Sequence, residues 1–159
     1  MDKIPKDQTS LRIALYGWHK TFGITILALS VFRLFWRLGH KPPPLPQHMP
    51  VWEKLAAKFT HVFFYLFMIG MPLIGWAMTS TSRYPSKIFQ VIPLPPLPGL
   101  GGLGDTRADV NDFFGNAHEK LAYLAIALIV LHVGAALKHH FKDKDDVLAH
   151  MMPKLRKNL

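Results

Sequence analysis

"NAHEKLAYLAIALIVLHVGAAL", residues 116–137, is long and apolar enough to cross a bilayer, yet it carries imidazoles at His118 and His132. The two are fourteen residues apart. At about 100° per residue they return to within roughly 40° of each other, on one helix face, about 21 Å apart along the axis. Read as a helix, the stretch holds two polar rings at two depths on one side of a hydrocarbon-spanning segment.

Two other windows, Leu15–Leu34 and Phe59–Met78, are as poor in charge as Ala117–Leu137. Each is near the ~20 residues that cross a hydrocarbon core. The sequence therefore predicts an all-α membrane protein, one domain of 159 residues, with transmembrane helices at about 15–37, 59–79 and 117–140 and a basic tail at 141–159. Cysteine is absent, which excludes disulfides, iron–sulfur clusters and thiolate zinc sites. The start, "MDKIPKDQTSLR", has no apolar core and is not a cleavable signal peptide.

The net charge of +9 is placed as a membrane protein places it, with no nucleic-acid partner implied. Arg33, Arg37, Lys41, Lys54 and Lys58 follow the first window, against one acid, Glu53; six more Lys and Arg follow the third. Between the second and third windows Arg83, Lys87 and Arg107 are matched by Asp105, Asp109 and Asp112. The positive-inside rule then sets the first connection and the C-terminus in the cytoplasm. The N-terminus, with Lys3, Lys6 and Arg12, falls outside, an arrangement that a preceding helix would make natural. "HKPPPLPQHMP" (40–50) predicts a stiff linker, and "VIPLPPLPGLGGLG" (91–104) an outer loop without helical pattern. Pro72 predicts a bend in the second helix, and the tail is expected to rest on anionic lipid headgroups.

Of nine histidines, His40, His48 and His150 fall in the linker and tail and are read as solvated. His61, His118 and His140 lie near span ends, where a ring can simply meet water. His132 lies well inside its apolar run, where ionisable residues are rare and usually functional. His19 and His118 enter from the same side at similar depth, and two imidazoles from facing helices can hold a haem iron between them. Ala122, Ala125, Ala136 and Gly23 leave room on those faces, as ordinary small-residue helix packing also would. Zinc, which gathers about four ligands at one point, fits ligands spread across the membrane less well. The four tryptophans, Trp18, Trp36, Trp52 and Trp76, read as interfacial anchors. Lys20, Lys120 and Arg107 offer either helix anchoring or a positive field for an anionic donor, Glu119 either a proton acceptor or a partner for Lys120. Arg33 and Arg37 reach the inner headgroups or a cofactor's carboxylates.

Four segments, "YGWHKTFGITILALSVFRLFWR", "HVFFYLFMIGMPLIGWAM", "NAHEKLAYLAIALIVLHVGAALKHHF" and "HMMPK", together resemble the bacterial cytochrome b561 family, from about Leu11 to Pro153. The resemblance implies a four-helix bundle in the bacterial inner membrane with two b-type haems, passing electrons between a donor, in some members superoxide, and ubiquinone or another quinone. It implies His19 and His118 as ligands of an outer haem, His132 as one ligand of an inner haem, and His139 or His140 beside a quinone. His139, seven residues past His132, is expected on the haem side of the helix. The family's other inner ligand sits on a first helix, near an "HW" pair, that this sequence does not show. Either the sequence is a piece of a four-helix protein, or it is a three-helix variant in which His132 takes another partner, His61 being the helical candidate. The inner haem is then absent, supplied by a second chain, or held by His61. Two rival readings are a haem-bearing anchor subunit of a dehydrogenase or hydrogenase and a non-redox channel whose histidines relay protons. The same reading allows a homodimer.

Overall fold

A computed structural model describes residues 9–40, 49–82 and 86–144. Three helices dominate it: α1 (Thr9–Gly39), α2 (Val51–Ser80) and α3 (Arg107–Lys138). All three are long and apolar enough to cross a membrane. Pro50, extended at φ −55° and ψ 148°, starts α2, with Glu53 in its first turn where the helix dipole favours an acid. Below Lys138 the third helix widens into one π turn, His139–Asp143, and stops at Lys144 in the left-handed region.

The helices run longer than the apolar windows predict. α1 starts six residues before position 15, α2 eight before 59, and α3 ten before 117. Hydropathy marks the part that meets hydrocarbon, whereas backbone hydrogen bonding continues through polar turns into the headgroup layer. Few apolar side chains are buried among the described residues (Met49, Ala77 and Ala136), while Phe32, Phe35 and Leu131 are all more than 60% exposed. Such a surface suits lipid as solvent.

α1 and α3 each pack on α2, and no Cα of one comes within 8 Å of a Cα of the other among the described residues. α2 and α3 are antiparallel and in constant register. Met78 lies at Gly115, Gly75 at His118, His61 at His132 and Glu53 at Lys138. His118, His132 and His139 therefore all face α2, as one helix face requires.

The region expected to be a plain loop contains a short antiparallel hairpin, β1 (Lys87–Ile88) with β2 (Ile92–Pro93), which lies on α1. Its turn places Phe89 and Gln90 at φ 51° and 61°. Further on, Trp76 Nε1 donates to the Pro95 carbonyl (2.9 Å) and the Leu97 N–H donates to Ser80 Oγ (2.9 Å), so the segment is strapped to the end of α2. A 3-10 turn, Gly104–Thr106, leads into α3. The proline linker at 41–48, with His48, and the tail from 145 onward, with His150, lie outside the described residues.

Candidate functional site

His19 and His118, each about three turns into its helix, meet across the gap between α1 and α3. Their ring centroids are 6.0 Å apart and their planes 84° to each other. Beside the two rings, and lined by both, opens a mainly apolar cleft of about 230 Å³, walled by Phe22, Gly23 and Ile26 of α1 and by Phe67, Met68 and Pro72 of α2. Pro72 supplies no N–H to the Met68 carbonyl, loosening α2 at this wall.

His118 is seated from behind by α2. A Cβ on Gly75 would lie 3.3 Å from its Cε1 and 3.5 Å from its Nδ1. Nδ1 is buried without a hydrogen-bond partner. A buried imidazole nitrogen left without a partner is a costly arrangement that a bound group would relieve.

The donor set and spacing fit haem b. A metal–imidazole bond of about 2 Å, with the ring centre about 1.1 Å further on, sets two imidazoles on opposite sides of one iron roughly 6.3 Å apart. The observed 6.0 Å is within a few tenths of that distance. Among the described residues the backbones of α1 and α3 stand apart, and the cleft lies in that gap. A larger hollow of about 460 Å³ beside Thr81, Arg107 and Asn111 has a mixed polar and apolar lining without a histidine.

His61 and His132 form a second pair, with centroids 6.1 Å apart and planes at 67°. Its surroundings differ. The two stand opposite each other across the packed α2–α3 interface, and the Phe64 ring lies edge-on to His132 at 4.9 Å. Equal ring spacing here occurs between two helices whose backbones pack closely.

His139 falls in the π turn. Its Nε2 is 3.6 Å from Glu53 Oε2 and its Nδ1 3.2 Å from Asp143 Oδ2. Lys138 Nζ lies 2.8 Å from Glu53 Oε1 and 2.9 Å from Asp143 Oδ2. One ligand atom from each of Glu53, His139 and Asp143 could converge on a cation, their mutual distances being within 4.8 Å, but the lysine ammonium already supplies the charge. His140 stacks edge-on against Phe141 (4.9 Å), and His40 lies flat on Trp36 (4.1 Å) with its Nδ1 at the Trp36 carbonyl.

Several charges that the sequence left with two readings are engaged structurally. Arg107 Nε donates to the Thr81 carbonyl (3.0 Å) and Nη2 to those of Ser82 (2.9 Å) and Ser80 (3.4 Å), closing the end of α2. Asn111, which sequence reading passed over, donates to the Met78 carbonyl (2.6 Å) and to Thr81 Oγ1. Lys20 Nζ donates to Ser86 Oγ (3.1 Å). Arg37 lies over the Tyr65 ring, Cζ 5.4 Å from its centre. Glu119 and Lys120 are exposed.

Three apolar spans and a bis-imidazole cleft define a class, the multi-pass membrane cytochromes b. Comparison with known proteins supplies the family. The prokaryotic cytochrome b561 family matches residues 3–154. Cytochrome b561 homolog 2 of Escherichia coli (strain K12) is 36% identical over 140 residues, 86% of this chain and 69% of that protein. Cytochrome b561 homolog 1 of the same organism is 29% identical over 136 residues, 86% and 73% of the two chains. A probable superoxide oxidase CybB of Yersinia pestis is 34% identical over 139 residues, 87% and 74% of the two. This chain belongs to the prokaryotic cytochrome b561 family: it is a haem b-containing electron-transfer protein of a bacterial membrane.

Proposed function

We propose that the chain holds haem b between His19 and His118 and exchanges single electrons there with a small donor on the outer face of the inner membrane. The acceptor is ubiquinone or another bilayer quinone. The observation that carries this reading is the 6.0 Å separation of two imidazoles on helices whose backbones stand apart among the described residues. Bound there, haem supplies one-electron chemistry, and the chain supplies axial nitrogens, an apolar surround and an orientation.

Superoxide is the donor favoured by the Yersinia relative's name and by Lys20 next to His19. Each superoxide gives up one electron and leaves as dioxygen. Two such electrons with two protons convert a quinone to its quinol. His139, Glu53 and Asp143 form the proton-holding group that we assign to the quinone side, at the cytoplasmic end. His61 and His132 we read as packed against each other between α2 and α3.

The test is purified protein, reduced with dithionite, examined for a six-coordinate low-spin b-type spectrum, with superoxide-driven reduction of a soluble quinone followed in parallel. His118→Ala is expected to abolish both. Well-folded protein lacking the chromophore overturns the haem assignment. A haem that superoxide does not reduce overturns the donor.

A further inference from the structure

We propose that Thr21 is a positioning residue for the His19 ligand, acting through the hairpin that braces the far side of α1. The inference rests on the haem reading above and adds a residue that does not touch the cofactor. Thr21 is two positions from His19, roughly 200° around the helix, so its side chain leaves α1 on the face away from the cleft. It is fully buried in a molecule whose helices are mostly exposed. Its hydroxyl donates to the Gly17 carbonyl (3.0 Å) and accepts the Phe89 N–H (2.8 Å). One turn earlier Gly17 receives the Gln90 side chain, whose Cγ lies 3.4 Å from where a Cβ would be.

Phe89 and Gln90 are successive non-glycine residues in the left-handed region, an unfavourable pair that persists where surroundings dictate it. Those surroundings are the Thr21 hydroxyl and the Gly17 notch. The following segment is fixed to the end of α2 by Trp76 and Ser80. α1, which has no backbone contact with α3, is thus held at its His19 end by a strap from α2 pressing on its back. Rotation of α1 on that seat swings the His19 ring relative to His118. Thr21 fixes the angle.

In Thr21→Val the shape remains and both hydrogen bonds are lost; Thr21→Ser keeps the hydroxyl. Gly17→Leu dislodges Gln90 from outside and stands in if the valine variant does not accumulate. The largest g value of a ferric low-spin bis-imidazole haem reports the angle between the ring planes and falls as they leave perpendicular. Thr21→Val and Gly17→Leu are expected to lower it and to raise haem loss to an acceptor protein about fivefold, the effect of one neutral hydrogen bond. Thr21→Ser restores both values. Unchanged g value and haem loss in the valine and leucine variants overturn the proposal. His19→Ala and His118→Ala separate the two readings. A low-spin signal surviving in both refutes the haem assignment and Thr21 with it, whereas loss there with no change in Thr21→Val refutes Thr21 alone.

Discussion

The imidazole of His118 rests tightly on Gly75: a Cβ at position 75 would lie 3.3 Å from its Cε1, closer than most such contacts. A free ring could tilt by a few tenths of an ångström, but one tied to iron cannot tilt without straining the bond. Gly75→Ala is therefore expected to fold, at an overpacking cost of about 1–3 kcal/mol, and to weaken haem retention roughly tenfold. Haem loss rates of the two proteins check it, and equal rates would place the ligand elsewhere.

The His19–His118 and His61–His132 pairs have the same ring spacing but unlike surroundings. We expect one haem per chain by pyridine haemochrome, removed by His118→Ala and retained in His61→Ala. A count of two that falls to one in His61→Ala would show that α2 and α3 part to admit a second macrocycle.

Glu53, Lys138, His139 and Asp143 tie the first turn of α2 to the last turn of α3. Glu53→Gln and His139→Ala are expected to slow quinone reduction several-fold and leave the haem spectrum unaltered, since the cluster lies at the opposite end of α3 from His118. Steady-state quinone reduction with superoxide as donor checks this. A spectral shift in either variant would instead tie the cluster to the haem.

Arg107 donates to the Thr81 and Ser82 carbonyls at the end of α2. Its replacement by Ala is expected to cost about 1–3 kcal/mol by leaving polar groups unmet. Lysine, lacking the planar fork, is expected to restore little. Thermal unfolding in detergent provides the measurement, with haem absorbance followed as a second signal.

The periodic features were legible. Three charge-poor windows give three spans, and the fourteen-residue interval between His118 and His132 gives their common face. Residues 107–116 are too polar for a hydropathy reading to include them in α3. The hairpin was invisible because Phe89 and Gln90 occupy conformations for which turn rules look to glycine or asparagine. The π turn at His139 lets that ring engage two carboxylates, which spacing along an ideal helix does not foretell. Arg107 as a helix closure and Gly75 as a seat for His118 exist only once α2 and α3 are in register.

α1 and α3 lean on α2 like two covers on a spine, and among the described residues their backbones do not come together on the third side. A haem held by both His19 and His118 would join the two outer helices directly. Once clasped, it becomes the missing strut, so proteolytic resistance of the His19 half should track cofactor loading.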